Sequence, residues 1–172
     1  PEIAARALGM LRAEGAEIRE GAAATAARRD GSGVALTLAD GSEVAGSHLL
    51  VAVGRRANVG ELGLEAAGIA HDARGIAVTR GLRSTTNRRV YAVGDAAGGP
   101  QFTHVAGYHA GLVVRSALFR LPVRARTDHV PRVTFMEPEL AAIGLTEAEA
   151  RAAHGDRVEA YSVEVAELDR AQ

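Results

Sequence analysis

The chain has 172 residues, of which 47% are hydrophobic, and this is enough for one domain or for parts of two around a packed core. A formal net charge of -1 and an aromatic content of 3% exclude a nucleic-acid surface built on clustered positive charge or base stacking. The absence of Cys excludes disulfides and thiol chemistry by this chain, and the lack of a long apolar run predicts a cytoplasmic protein that does not span a membrane.

The first third of the sequence is predicted to form one helix followed by short strands. Apolar residues at helical spacing indicate a helix that starts at the beginning of the chain and stops at Gly15, before a strand over residues 16–21. A hairpin with strands at residues 22–29 and 34–38 is predicted, because the glycines between them accept positive φ angles. After a second turn and a short strand, the apolar run 48–53 is typical of a strand buried in a sheet that is covered on both faces.

The middle of the sequence predicts a second buried strand and a long helix. A small strand is expected at residues 75–78, and a buried strand over residues 89–93 ends in Gly94 and Asp95. After a turn-rich connection, apolar positions at helical spacing indicate a helix of roughly four turns over residues 103–119. This order of elements predicts an α/β fold that contains antiparallel hairpins.

The last part of the sequence predicts two strands on either side of a capped helix. Residues 129–136 alternate in hydrophobicity and indicate a strand. Thr146, with Glu149 three residues later, is typical of a capping box, and the helix is expected to end near Gly155. A final strand is predicted over residues 157–165.

The pair Gly94 and Asp95 is the most informative local feature, because it follows a predicted strand at the edge of the sheet where α/β proteins bind ligands. The glycine permits a close backbone approach, and the carboxylate can accept hydrogen bonds from sugar-like hydroxyls. By itself the pair fits an ordinary Gly-Asp turn better than a ligand site. The predicted helix start at Thr103 and His104 adds unpaired N–H groups with partial positive charge. A ligand with hydroxyls at one end and developing negative charge at the other suits both features, and FAD is such a ligand.

Three segments of the sequence resemble motifs of one enzyme family. Residues 84–96, STTNRRVYAVGDA, resemble the second FAD motif of the pyridine nucleotide–disulfide oxidoreductases. Residues 49–58, LLVAVGRRAN, are similar to the strand that ends the family's NAD(P) domain, with Ala57 where Pro is usual. Segments within residues 131–147, PRVTF and PELAAIGLTE, resemble the start of the dimer-interface domain. Residues 101–111 are most similar to the mercuric-reductase-like branch, whose neighbours are the lipoamide dehydrogenases and glutathione reductases.

The resemblance implies a flavin-binding role for five residues. Asp95 would hydrogen-bond the ribityl chain of FAD, and Gly94 would let the backbone approach the cofactor. Phe102, Thr103 and His104 would lie at the helix end beneath the flavin pyrimidine edge and act mainly through backbone groups.

The resemblance also implies a nicotinamide-nucleotide side, formed by Gly54 and Arg55, with Val133 in contact with the nicotinamide amide. The second cofactor would be NAD or NADP, with no preference indicated. No residue of this chain is assigned a catalytic role. No metal site is predicted, because His104 and His109 are five residues apart and share a helix face poorly.

The resemblance divides the chain into the C-terminal part of an NAD(P)-binding domain (1–58), a returning segment of a Rossmann-like FAD-binding domain (59–125) and the first part of an α+β dimerisation domain (126–172). The family's first FAD motif, redox-active Cys pair and NAD(P) glycine motif would precede this chain, and its catalytic His-Glu pair would follow. We therefore expect part of a homodimeric, FAD-dependent NAD(P)H oxidoreductase that passes electrons to a disulfide or metal-ion acceptor. The chain alone, without the missing N-terminal portion, is expected to be inactive. The alternative is a non-catalytic fragment that acts only as a structural or dimerisation module without bound flavin.

Overall fold

The computed structural model describes residues 2–164 and 167–168, and the side chains of all these residues except Glu2. The chain divides into two compact units, Pro1–Arg55 and Arg56–Gln172. No helix among the described residues has the length and apolar character needed to cross a membrane.

The first unit consists of a helix and an antiparallel sheet. Helix α1 (Glu2–Ala13) ends just before Gly15, which adopts a φ of 93° as expected for a glycine stop. Strands β1 (Ala24–Asp30), β2 (Gly33–Leu38) and β3 (Glu43–Gly46) follow and pair in the order β1-β2-β3. The helix, the hairpin and the third strand confirm the sequence prediction for these segments.

Short turns fix the register of this sheet. Gly31 has a φ of 57° between β1 and β2. The Asp40 carboxylate accepts hydrogen bonds from the Ser42 N–H at 2.9 Å and hydroxyl at 2.7 Å, which holds the pKa of Asp40 below its usual value. Gly33 cannot be replaced without moving the backbone, because a Cβ there would lie 2.5 Å from the Gly46 carbonyl oxygen.

Two strands predicted in the first unit do not form. Residues 16–21 have no strand hydrogen bonding, and neither does the apolar run 48–53. This run is not buried, since Leu50 is 88% exposed and Val53 is 93% exposed. A strand needs hydrogen-bond partners on a neighbouring strand, and no described residue pairs with this run. The prediction of a buried strand at residues 48–53 is therefore wrong for this chain.

The second unit contains short antiparallel pairs around one long helix. The small strand predicted at residues 75–78 forms in shortened form, and so does the strand predicted over residues 129–136. The strand predicted over residues 157–165 does not form as far as residue 164, and residue 165 lies outside the described part of the chain. The elements are β4 (His71–Asp72), β5 (Gly75–Ile76), the 3-10 helix Gly94–Ala97, α2 (Thr103–Phe119), β6 (Arg132–Thr134), β7 (Leu140–Ala142), α3 (Glu147–His154) and the 3-10 helix Gly155–Arg157.

The segment predicted as a buried strand over residues 89–93 is extended but mostly unpaired. Its only ladder contact among the described residues is a single bridge between Tyr91 and Arg83. Ala92 is buried in the hydrophobic core of the unit, and Ala96 and Ala97 of the 3-10 helix that follows pack against that core. The core residues are Val59, Leu64, Ile69, Ile76 and Ala92.

The capped helix α3 confirms the prediction for its start. The Thr146 hydroxyl accepts a hydrogen bond from the Glu149 N–H at 3.3 Å, and the Glu149 carboxylate accepts one from the Thr146 N–H at 2.8 Å. These reciprocal bonds satisfy two of the N–H groups that a helix start leaves without partners. Gly155 follows the helix with a φ of 60°, which confirms the predicted stop.

Candidate functional site

The candidate site is built on the turn at Gly94, which is buried and opens the 3-10 helix with a φ of 58°. A Cβ at this position would lie 2.8 Å from the Ala106 Cβ of α2, closer than side chains can pack without displacement. Only glycine therefore satisfies both the backbone angle and the approach of α2.

Another glycine, Gly75, allows a close approach on the β5 side of the same 3-10 helix. A Cβ at Gly75, whose φ is 142°, would lie 2.7 Å from the Ala96 carbonyl oxygen and 2.8 Å from the Gly98 nitrogen. The backbone of residues 94–98 is therefore enclosed by β5 and by α2. On the β5 side the close contact is made by Gly75, and on the α2 side it is made by Gly94, neither of which has a side chain.

The carboxylate of Asp95 follows directly after the enclosed glycine. Asp95 is half-buried, and no residue in the described part of the chain donates a hydrogen bond to its side chain. Its main-chain carbonyl accepts the Gly98 N–H at 3.1 Å, so the turn itself is closed by backbone. The side chain is left as an acceptor for a ligand that carries hydroxyl donors.

Helix α2 begins at Thr103 without a side-chain cap. The residue before it, Phe102, has an extended conformation, and its carbonyl oxygen accepts the Val105 and Ala106 N–H groups at 3.0 and 3.2 Å. No acidic side chain lies in the first turn to neutralise the partial positive charge of the helix start. The exposed Thr103 and His104 thus present an N-terminus suited to negative charge, and the Phe102 ring stacks on the His104 ring at 5.2 Å.

A buried histidine, His109, holds the turn from within α2. Its Nδ1 accepts the Gly94 N–H at 3.2 Å, its side chain is only 5% exposed, and burial lowers its pKa below the usual value. In the sequence, His109 is a candidate only for a metal site that is not predicted to form, and its contact with Gly94 is not predicted. Its spacing did carry a signal, because Val105, His109 and Leu112 lie on one helix face and all three are buried.

A different row of α2 side chains contacts the segment that precedes β6. The His104 Nε2 donates to the Pro131 carbonyl oxygen at 3.1 Å, and the Tyr108 hydroxyl accepts the Arg126 N–H at 3.1 Å. The His129 ring meets the Tyr108 ring edge-on at 5.2 Å. These contacts bring the flavin-side residues predicted at the start of α2 into the same unit and neighbourhood as the strand that carries Val133.

A cavity of about 220 Å³ lies between the start of α2 and this segment. Its lining combines the predicted site residue Phe102 with residues from 127 to 144, and the Arg132 guanidinium beside it donates to the Gly144 carbonyl at 3.0 Å. The half-buried Val133 follows Arg132 in β6. The cavity is lined by Pro100, Phe102, Thr127, Val130, Arg132 and Gly144.

Gly54 and Arg55 belong to the first compact unit, whereas the other six predicted site residues belong to the second. Both are exposed, and Gly54 has a φ of 129° that favours glycine. Their assignment to a nicotinamide-nucleotide site stays a prediction. Throughout the described residues, no three His, Asp or Glu side chains are grouped so that they could hold a metal ion.

The described residues form a mixed α/β fold that matches the fold of a solved flavoprotein disulfide reductase. Residues 1–110 match the family model described as pyridine nucleotide-disulphide oxidoreductase. Residues 130–172 match the dimerisation domain of the same family. The chain belongs to the pyridine nucleotide-disulphide oxidoreductase family, which confirms the fold class and the family predicted from its motifs.

Named relatives of the chain are oxidoreductases. It is 40% identical to a mercuric reductase of Streptomyces lividans over 163 residues, a match that covers 91% of this chain and 34% of the relative. It is 40% identical over 109 residues to a dihydrolipoyl dehydrogenase of Bacillus subtilis, covering 63% of this chain and 23% of the relative. Among solved structures, the HOCl-induced flavoprotein disulfide reductase RclA of Escherichia coli matches with a TM-score of 0.84 at 29% identity, over 99% of this chain and 39% of that one. These matches therefore cover between 23% and 39% of the length of the three proteins.

Proposed function

We propose that this chain is part of an FAD-dependent NAD(P)H oxidoreductase of the mercuric-reductase-like type, and that it supplies one edge of the flavin site. The observation that carries the proposal is the enclosed turn at Gly94. There the backbone approaches α2 so closely that no Cβ fits, and the next residue, Asp95, has a carboxylate without a donor among the described residues.

The residues present fit FAD in their chemistry. Asp95 would accept hydrogen bonds from the ribityl hydroxyls, and the uncapped start of α2 at Phe102, Thr103 and His104 would stabilise negative charge on the pyrimidine edge of the flavin. Electron transfer from NAD(P)H to a disulfide or metal-ion acceptor is the chemistry that FAD supplies in this family. The protein would orient the flavin through the rigid turn at Gly94 and would provide a fixed positive potential through the start of α2.

The remaining parts of the proposal concern what completes the site. Gly54, Arg55 and Val133 would line the side that binds NAD or NADP. Because the chain contains no Cys, a redox-active thiol pair would come from a preceding portion of the same enzyme. The match to a dimerisation domain supports a homodimer. The proposed domain boundaries fall after residues 58 and 125.

Titration of the purified chain with FAD, followed by quenching of flavin fluorescence, tests the proposal. We expect stoichiometric binding that is weakened about 10- to 100-fold by Asp95→Ala, since hydrogen bonds to a charged group contribute about 1.5–3 kcal/mol. Asp156→Ala is the matched control, because Asp156 is an exposed carboxylate in the 3-10 helix after α3. It should leave the affinity unchanged.

Two results would contradict this proposal in different ways. A chain that is folded by circular dichroism but binds no FAD would favour a structural or dimerisation module. Steady oxidation of NAD(P)H by the purified chain with FAD alone would contradict our expectation that the chain is inactive without the rest of the enzyme.

A further inference from the structure

We infer that His109 is a positioning residue for the flavin-facing turn, and that its neutral imidazole holds the backbone of Gly94, and with it Asp95, in the binding geometry. The inference rests on the proposed FAD site. It assigns the role to a side chain that lies nearly two helical turns inside α2 and not at its exposed start.

The turn needs an acceptor at this position. The first N–H groups of any helix lack partners within the helix, and the residue before this 3-10 helix, Val93, provides no side-chain cap. The Gly94 N–H is buried, so water does not replace the missing partner. The Nδ1 of His109, at 3.2 Å, is the acceptor that the fold supplies across 15 residues of sequence.

The contact also defines the state of the imidazole. An Nδ1 that accepts a hydrogen bond carries no proton, so the ring is neutral and its proton is on Nε2. The burial that lowers the pKa of His109 favours this neutral form. In a charged imidazolium ring Nδ1 carries a proton and cannot accept a hydrogen bond. The contact with the Gly94 N–H therefore exists only while His109 is uncharged.

Packing alone does not explain a histidine here. Val105 and Leu112 lie on the same buried face of α2, and a leucine between them would bury more apolar surface than an imidazole. A leucine would, however, leave the Gly94 N–H without an acceptor. Substitutions that keep or remove the acceptor therefore separate the hydrogen bond from the packing.

The experiment compares His109→Leu with His109→Asn, whose Oδ1 can replace the Nδ1 acceptor, and uses the exposed His154→Leu as control. We expect His109→Leu to speed amide hydrogen exchange of Gly94 and to weaken FAD binding, each by about tenfold or more, as expected for loss of one buried hydrogen bond. His109→Asn should restore both to within about threefold. The Ala92 N–H, bonded to the Leu82 carbonyl at 3.0 Å, reports whether the core is intact in each variant.

Scalar coupling between the Gly94 nitrogen and His109 Nδ1, measured by NMR in the unsubstituted chain, detects the N–H···N bond without any variant. Absence of this coupling, or equal Gly94 exchange in His109→Leu and the unsubstituted chain, would overturn the inference. If the coupling is present but the unsubstituted chain binds no FAD, the proposed function fails, while the role of His109 in holding the turn stands.

Discussion

Replacement of Gly94 by Ala tests the close approach on which the candidate site depends. The new Cβ would lie 2.8 Å from the Ala106 Cβ and 3.3 Å from its Cα, so α2 or the turn must shift. Forced overpacking of this kind lowers stability by about 1–3 kcal/mol. The φ of 58° adds about 1–2 kcal/mol for a residue with a Cβ. We therefore expect the free energy of unfolding to fall by about 2–5 kcal/mol, a large part of the stability of a typical domain.

Urea denaturation followed by circular dichroism measures this loss, and Gly99→Ala is its matched control. Gly99 has a φ of 82° but nothing within 4 Å of an added Cβ, so its substitution carries the backbone term without the clash. The double variant Gly94→Ala, Ala106→Gly removes the clashing methyl group from α2. It should recover stability relative to Gly94→Ala, less about 1 kcal/mol for glycine inside a helix.

The control defines the result that would refute the reasoning. If Gly94→Ala and Gly99→Ala lose the same stability, and Ala106→Gly restores none of it, then α2 does not constrain the turn. The enclosed backbone at Gly94 would then no longer support a ligand site.

The capping box and the α2 contact give further predictions, each measured by urea denaturation. Thr146→Ala should lower stability by about 1 kcal/mol through loss of the N-cap. The Thr146 N–H and hydroxyl donate to the Glu149 carboxylate and hold its pKa below its usual value, so the contribution of these bonds is complete above that usual value and is lost as pH falls through the depressed folded pKa. The difference between Thr146→Ala and the unsubstituted chain should therefore shrink on acidification. Tyr108→Phe should lower stability by about 0.5–1.5 kcal/mol by removing the acceptor of the Arg126 N–H, while the ring contact with His129 remains.

The elements that the sequence predicted well are those with local signals. Helix α2 forms over Thr103–Phe119, as predicted, because its apolar spacing is set within the helix itself. The β1-β2 hairpin follows from glycines at its turn, and α3 follows from the reciprocal bonds of Thr146 and Glu149. In each case the residues that determine the element also satisfy its hydrogen bonds.

The elements that the sequence predicted badly are strands whose stability depends on partners. Residues 48–53 have the composition of a buried strand but no partner among the described residues, so Leu50 and Val53 are exposed. Residues 89–93 keep an extended form because Ala92 is anchored in the core, yet they make only one bridge. The hydrophobicity of such a run indicates that it can be buried, but it does not indicate whether a neighbouring strand is present to pair with it.

Helix α2 explains why site residues so far apart in sequence belong to one arrangement. One face of the helix, at Ala106 and His109, meets the turn at Gly94, and a second row, at His104 and Tyr108, contacts the segment before β6. Residues three or four positions apart lie on the same face of an α-helix, and the rigid backbone fixes these two faces relative to each other. The turn that would hold the flavin and the segment that leads to the proposed nicotinamide contact are therefore positioned by the same helix. Substitutions inside α2 should consequently affect the proposed flavin site even where the altered side chain would never touch the cofactor.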